Sequence, residues 1–588
     1  MTAAVGLLAP VVKAAGAELP AMVLDALIEM RISLGLRLPG RARLTFLDDG
    51  FAISAGSTFT LGTQLVVSDN TGNALFTGEV TGVELDVEYG APNVTVVADD
   101  AAYKMTLGNK ARTFTQQLYS DIVNTIAGEY GLSVQATATS SVQEYVLQMD
   151  SDFGFLCEIC DRIGYDWWVD TAGKLQFHPM ASAAGTGLTL AWESGSPRLR
   201  HFSVRASALH PQQVTVHGWD TREMTSVTAT SREVSVTPDA TLVTPYVTAG
   251  SLSSNSSAQS AFRMFSTMHD GTDLATSAAT LAATSAVTAE GVSDASAKIV
   301  VGSKVTVADV GPASGTYAIT EVEHTYTKQG FLTRFVAGDR VPTGLVDSLS
   351  APVVSSFRQD ALVVGVVTNM GDSESPKGSV KVKFPALGDT VESAWARVVS
   401  LGAGKSRGMT FIPEVNDEVI VGFEAGDVSR PVVLGGVYST KNAALDYGVA
   451  NGAVGKRQIV SRLGHVIELG DGDSPADQRI GLTLAGGEFV VDLSKQGLTA
   501  KVPSGKPVSI SSGEAKLEID GSGNITISGQ KITIKGTQDV EISGLNVKAK
   551  ANVAVEASGL QAKMTGSAQA EVSSGGQTAV KGSVVMIN

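Results

Sequence analysis

The segment from Val490 to Asn588 contains no Phe, Trp, Tyr, His or Cys, yet its apolar and polar residues alternate in short runs throughout. A Gly closes successive runs at Gly521, Gly529, Gly536, Gly544, Gly559 and Gly566. The pairs Ser528-Gly529, Ser543-Gly544 and Ser558-Gly559 recur every fifteen residues, in half-steps of seven or eight. Such alternation predicts strands with one apolar face, and Gly at each break permits a tight corner. The apolar strips are thin: Ile525 and Ile527, Ile532 and Ile534, Val540 and Ile542, Leu545 and Val547, Val553 and Val555. A strip this narrow has no second layer in its own chain to bury it. Three chains wound into one prism would place every strip on a shared axis, which predicts an intertwined triple-stranded β-helix.

Two other folds compete for such a repeat. A single-chain solenoid needs three strands per coil and stacked core ladders, on the order of twenty residues or more per turn. The half-steps here are shorter, and the apolar faces shrink through Ala549, Ala551, Ala554, Ala557, Ala562, Ala568 and Ala570, as in a tapering needle. A disordered Gly/Ser linker fits poorly with strict alternation of β-branched residues.

A chain of 588 residues exceeds one core and predicts three or four domains. The net charge of -15 opposes a nucleic-acid partner, because phosphate binding rests on Lys/Arg clusters. Two cysteines exclude a disulfide scaffold. The apolar stretch Val5 to Val12 is interrupted by Pro10 and follows no Lys or Arg, which makes a poor secretory signal. No apolar run reaches the roughly eighteen residues that a membrane span needs. The expectation is a protein made in the cytoplasm, without signal peptide or membrane span.

Strand patterns run from about Leu24 to Ala101, including Arg41 to Leu47, Gln64 to Val67 and Asn93 to Val97, with turns at Asp48-Asp49-Gly50 and Asp69-Asn70-Thr71-Gly72. A helix is predicted from an N-cap at Ser120, with Ile122, Val123, Ile126 and Ala127 on one face and Gly131 beyond its end. A second is predicted from Ser151 through Phe155, Leu156, Ile159, Cys160 and Ile163 to Gly164. A hairpin follows, Tyr165 to Val169 and Lys174 to Phe177. Strands return to about Thr248 and again from Lys298 to Ala337; between them Ala261, Met264, Phe265 and Met268 recur at helical spacing. Val363 to Tyr438 holds about five short strands with Gly-rich turns, which predicts a small barrel of the oligonucleotide/oligosaccharide-binding (OB) type. The expected class is mainly β with a few helices: an α+β region over 1–345, a linker over 346–361, a barrel over 362–440 and a β-helical spike over 441–588.

Reactive motifs have structural readings here. Cys157-Glu158-Ile159-Cys160 lies inside the second helix rather than at its N-terminus, and no second ligand pair accompanies it, so both cysteines read as packing residues. Gly404-Lys405-Ser406-Arg407-Gly408 falls between two barrel strands, whereas a nucleophile elbow needs a helix after it. The seven histidines show no paired metal spacing, and His324 reads as a packing or hydrogen-bonding residue. The expectation is no enzyme, no metal and no cofactor.

The barrel segment resembles the VgrG and phage baseplate-V spike family of contractile injection systems. The cues are Phe384-Pro385, Trp395-Ala396-Arg397-Val398, Phe411-Ile412-Pro413-Glu414-Val415-Asn416-Asp417-Glu418-Val419, Gly426-Asp427, Arg430-Pro431 and Val433-Leu434-Gly435. The N-terminal part is similar to the tail-protein-D-type hub of that family through Ser151-Asp152-Phe153 to Gly164-Tyr165 and Gly315-Thr316-Tyr317 to His324. Ser461-Arg462-Leu463-Gly464-His465 to Leu469 is similar to the family's needle opening. The barrel wording is closer to the extracellular, phage-tail-like branch.

The resemblance implies a homotrimeric central spike whose hub has two similar strand-rich subdomains. Such a spike caps the inner tube, organises the baseplate and punctures the target envelope. Its implied partners are inner-tube and baseplate proteins, effector cargo in some systems, and a PAAR-type tip protein docking on Val584, Val585, Met586 and Ile587. The competing reading from another class is a β-helical adhesin or receptor-binding tail fibre, which would carry an aromatic-rich head for ligand contact.

Overall fold

The computed structural model describes residues 9–587 apart from 89–90, 180–183, 193, 207–212, 221–224, 232–238, 241–256, 261–267, 285–286, 339–361, 372–375 and 387–389. The expected linker 346–361 and the helical spacing of Ala261, Met264 and Phe265 lie outside the described residues. The chain divides into two compact units, Met1–Ala443 and Ala444–Asn588.

In the first unit, alternation builds one long sheet around two cores. Strands β1 (Val11–Ala14), β2 (Leu27–Gly35), β3 (Arg41–Leu47), β4 (Gln64–Ser68), β5 (Ala74–Glu88) and β6 (Ala91–Asp99) enclose Met30, Ile32, Leu44, Phe46, Phe76 and Val96. A second set is β11 (Leu199–Ala206), β12 (Val287–Asp294), β13 (Ser303–Ala308), β14 (Gly315–Thr327) and β15 (Gly330–Ala337), around Leu190, Val305, Tyr317, Ile319 and Phe335. The sheet runs β11-β12-β15-β14-β2-β3-β6-β5-β4-β1, so pairing of β14 with β2, from Glu321↔Gly35 to Thr327↔Glu29, joins the two sets. Strand β15 buries Phe331, Thr333, Phe335 and Ala337 in turn, the period-2 pattern of a half-buried strand. Gly291 of β12 makes room for this face: a Cβ there would stand 2.2 Å from the Phe335 ring.

In the sequence between the two sets come β7 (Arg112–Leu118), α1 (Tyr119–Glu129), β8 (Val142–Gln148), α2 (Asp152–Ile163) and the hairpin β9 (Tyr165–Val169)–β10 (Lys174–Pro179), which form a helical layer with a core of its own. Helix α1 starts two residues earlier than expected; Leu118 occupies the N-cap and no side chain caps it, while Ser120 is buried inside the helix. Helix α2 begins as its sequence dictates: Ser151 Oγ accepts from Gly154 N at 3.1 Å, and Gly164 ends it with φ 72°. A further helix, α3 (Met268–Thr284), packs on α2; it starts at Met268, the last residue of the anticipated spacing.

The barrel is closed in the order β16 (Val363–Asn369), β17 (Ser379–Lys383), β18 (Ala396–Val398), β20 (Pro431–Gly436) and β19 (Glu418–Phe423). Its interior residues Val367, Val380, Val382, Phe384, Val419, Val421 and Val433 form one continuous cluster with Phe114, Ile122, Ile126, Phe155, Leu156 and Trp167 of the helical layer. Tyr145 donates its hydroxyl hydrogen to the Glu392 carbonyl at 2.8 Å, and Arg162 on α2 pairs with Asp427 at 3.3 Å. The barrel is therefore packed onto the helical layer.

In the second unit, β21 (Lys456–Val460), β22 (Val466–Asp471), β23 (Gln478–Thr483), β24 (Val490–Ser494) and β25 (Gly497–Lys501) form an antiparallel meander in sequence order. Strands β26 (Val508–Ser512), β27 (Ala515–Ile519) and β28 (Ile525–Ser528) form a second. From Gly529 to Ile587 no strand is formed within the chain among the described residues.

Candidate functional site: the assembly surfaces of the second unit

Register decides which side chains share a face of the meander. Ile459, Ile467, Leu482, Val491 and Ala500 stand opposite one another across the five strands, as do Leu469, Ile480, Leu493 and Leu498 on four of them. These positions form one apolar face, and every large residue on it is exposed, from Val491 at 43 % to Leu498 at 72 %. The other face carries a charged network beside Val460, Val466 and Val490. Glu468 accepts from Gln458 Nε2 at 2.8 Å and from Arg479 at 2.9 Å, and Arg479 also reaches Asp492 at 3.3 Å. Charged partners thus satisfy one another on that half-buried face, while the apolar face has no cover in its own chain. Leaving it open forgoes part of the roughly 1.5–3 kcal/mol that full burial of each such side chain contributes.

The second meander repeats the arrangement. Val508 faces Ile519, which faces Ile525, and Ile510 faces Leu517, which faces Ile527. The structure therefore brings the predicted axis residues Ile525 and Ile527 together with four apolar residues of their own sheet, all on one face. Within one chain, strands β24 to β25 and β26 to β28 pair with one another. The turn sequence Asp520-Gly521-Ser522-Gly523-Asn524 folds β28 back onto β27, with Asp520 accepting from the Ser522 and Asn524 amides at 2.9 and 2.8 Å.

Beyond Ser528 the chain bends at Gly529–Gln530, Thr537–Gln538, Leu545, Asn552–Val553, Gly559–Leu560, Ser567–Ala568, Gly575–Gly576 and Ser583–Val584. The interval is seven or eight residues each time, the half-step visible in the sequence. Two corners admit only Gly. A Cβ on Gly536 would lie 2.3 Å from the Asp539 carbonyl oxygen, and one on Gly566 would lie 2.1 Å from that of Gln569. Runs between bends carry apolar residues two apart, as Ile532 and Ile534, Val540 and Ile542, and Val585 and Ile587. The predicted axis residues Ile532, Ile534, Val540, Ile542, Leu545, Val547, Val553 and Val555 are all exposed, from 51 % at Ile532 to 100 % at Leu545. The predicted tip residues Val584, Val585, Met586 and Ile587 are exposed too.

Residues that sequence reasoning passed over include Ile459, Ile467, Leu469, Ile480, Leu482, Val491, Leu493 and Leu498. Their signal was present as spacing of two, in Ile467-x-Leu469, Ile480-x-Leu482 and Val491-x-Leu493, before and across the start of the aromatic-free segment.

The reactive motifs sit in the first unit and are occupied by packing. Cys160 is buried among Phe155, Leu156 and Ile159, and burial pushes its thiol well above the ordinary value. Burial likewise pushes the Cys157 thiol up to about 11, so neither is a ready thiolate. Gly404 and Gly408 lie in a two-stranded hairpin, Ala403–Gly404 with Arg407–Gly408, and the next element is strand β19 rather than a helix. His324 is buried, with Nδ1 2.8 Å from Thr333 Oγ1. Sequence reasoning missed a polar cluster on α2: buried Asp152 accepts from Lys110, Tyr130 and Gln148 at 2.6, 2.6 and 2.7 Å. Its partners lie in the loop before β7, at the C-cap of α1 and at the end of β8, and nothing local in the sequence announces them.

Known proteins place this architecture. A family model described as the Alg8 N-terminal domain matches residues 6–328, more than half of the chain. A second, the type VI secretion system/phage-baseplate injector OB domain, matches residues 363–438. Type VI secretion system spike protein VgrG5 of Pseudomonas aeruginosa is 45 % identical over 69 residues, 11 % of this chain and 9 % of that protein. Spike protein VgrG3 of Vibrio cholerae is 39 % identical over 71 residues, 11 % of this chain and 7 % of that protein. The chain thus spans less than a tenth of the length of these curated relatives. A Francisella PdpA–VgrG complex in a half-lidded form has the same fold, with TM-score 0.50 and 9 % identity over 84 % of this chain and 87 % of that one. Over residues 6–328 the chain belongs to the Alg8 N-terminal domain family, it carries a type VI secretion system/phage-baseplate injector OB domain at 363–438, and its fold is like that of VgrG spikes.

Proposed function

We propose that the protein is the homotrimeric central spike and hub of a contractile injection system. Three copies cap the inner tube, organise the baseplate around it and drive a needle into the target envelope. The observation that carries this reading is the second unit: two meanders each with an exposed apolar face, followed by a regularly bent stretch without strands among the described residues. Three such faces turned inward form a closed prism, which buries the apolar side chains and leaves the Glu468–Arg479–Asp492 network outside. Closure also removes sheet edges that otherwise invite aggregation. The barrel's packing onto the helical layer supports a load-bearing part, because force on one passes through a shared core to the other.

The role is mechanical rather than catalytic. Inner-tube and baseplate proteins are the partners for the first unit, with effector cargo where a particle carries it. Exposed Val584, Val585, Met586 and Ile587 offer an apolar platform to a PAAR-type cap. Negative-stain imaging of the purified full-length protein tests the proposal. A threefold head with a thin stalk is expected, and a shaft ending in a globular ligand-binding head would favour the adhesin reading instead.

A further inference from the structure

The first unit holds a cavity of about 180 Å³. Leu34 at the end of β2, Leu75 and Phe76 on β5, Trp168 on β9 and Val301 ahead of β13 give it apolar walls. Two glycines build it. A Cβ on Gly40 would stand 2.8 Å from Asp100 Oδ2, and one on Gly302 would stand 2.2 Å from the Trp168 ring. Bare backbone at these positions lets the Asp100 carboxylate and the Trp168 indole take their places in the wall. Thr77 Oγ1 donates to the Thr171 carbonyl at 2.9 Å and ties the β9–β10 turn to β5. Exposed Leu38 and Ala172 also line the cavity, which is open to solvent beside them.

Asp100 is buried, and it accepts only from two backbone amides, Gly40 N at 2.7 Å and Ala102 N at 2.9 Å. No described Lys, Arg or His pairs with it, and none lines the cavity among the described residues. Neighbouring Asp99 holds Arg41 at 2.7 Å. Asp170, the other carboxylate of the lining, accepts from the Ala172 and Lys174 amides and from Gln176. Burial pushes the Asp100 carboxyl up to about 7, with the two amides opposing and Asp99 adding to the rise. A buried carboxylate without a cation is costly, and the ligand that relieves it must carry positive charge. A bare metal ion would lose its water against Leu, Phe and Trp walls, whereas aromatic faces attract an organic ammonium.

We propose that the cavity binds a small organic cation, with its ammonium at Asp100 and an apolar group about the size of benzene against Leu75, Phe76 and Trp168. A proton competes with this cation for Asp100, so affinity falls as pH drops through about 7.

The test is saturation-transfer NMR on the purified full-length protein, with benzylammonium and its neutral counterpart benzyl alcohol as probes. Benzylammonium should bind at least about tenfold more tightly than the alcohol, and Asp100→Asn should remove that difference. Between pH 8 and pH 6 the ammonium should lose about tenfold in affinity and the alcohol none. Ala172→Trp, which closes the opening from an exposed turn and leaves Asp100 in place, should weaken both probes without changing the thermal midpoint. N-acetyl-lysine methylamide separates the two sources of such a cation. Binding as tight as benzylammonium's identifies a lysine side chain of another protein, and its failure beside a bound benzylammonium identifies a free amine. Equal affinity for benzylammonium and benzyl alcohol, no binding of either, or binding that Ala172→Trp leaves unchanged overturns the proposal.

Discussion

The two units of this chain obey the same alternation rule and end in opposite states. In the first, Trp167, Tyr317, Phe46, Phe76, Phe155 and Phe335 are withdrawn from water completely. In the second, Ile459, Leu469, Leu482, Leu493, Ile510 and Ile527 lie open. Among the described residues, every hydrophobic side chain of the buried core lies at or before Val433. The difference is the supply of a second layer. The first unit covers its strands with α1, α2 and a sheet that folds around two cores, and aromatic rings fill the volume so enclosed. The second unit has strands joined by tight turns, and from Val490 onward no ring to fill a space. Thin strips of Ile and Val suffice where three meet on an axis, and on such an axis a ring would have no room. A missing aromatic set is thus a statement about where the core will form.

The strongest way to break this comparison is to charge the shared axis. Ile532→Asp or Ile534→Asp should abolish trimer formation, because unpaired carboxylates cannot be kept charged in a dry core. Lys531→Asp and Thr533→Asp, on the opposite side of the same alternation, should leave trimer yield unchanged by size-exclusion with light scattering. Equal yields from both pairs would place the register wrongly.

A cavity in the first unit should act on stability and not on assembly. Phe335→Ala, opposite Gly291, should cost about 3–5 kcal/mol in the unfolding of the hub and barrel, read by denaturant titration. The trimer should persist below that transition.

The next effect depends on pH. Burial pushes the His324 imidazole down to about 4, with Asp69 opposing. The unfolded chain therefore binds a proton that the folded chain refuses between about 6.5 and 4. This stability is present above the unfolded value and is lost as pH falls through that window, by up to about 3 kcal/mol at 1.36 kcal/mol per unit. Calorimetry should show the first unit's midpoint falling from pH 7.5 to pH 4.5, and falling less in His324→Gln.

The smallest effect concerns the joint between barrel and helical layer. Asp427→Ala removes the partner of Arg162 and should destabilise the first unit by about 1–2 kcal/mol, since the pair is partly exposed. Assembly through the second unit should be unaffected.

Elements whose cause is local were legible in the sequence. Helix α2 follows from Ser151, an apolar stripe and Gly164, the strands β19 and β20 from alternation, and the corners beyond Ser528 from Gly at seven- or eight-residue steps. What escaped depends on distance or on pairing. Tyr145 and Glu392 are 247 positions apart, so the docking of barrel on helices has no local signature. The division at Ser528 escaped because residues before and after it share one pattern; only the ladder shows that Ile525 and Ile527 pair within the chain while Ile532 and Ile534 do not. The apolar face of β21 to β25 escaped because attention fell on the aromatic-free repeat, although its spacing of two was present.

The central claim is that the second unit has no core until three chains share it. Sedimentation equilibrium of the full-length protein, from micromolar down to low nanomolar concentration, tests it most directly when paired with hydrogen exchange over residues 456–587. The account predicts a single species of three chains, with protection of 529–587 lost wherever trimers dissociate. A monomer at micromolar concentration whose residues 529–587 remain protected would contradict it.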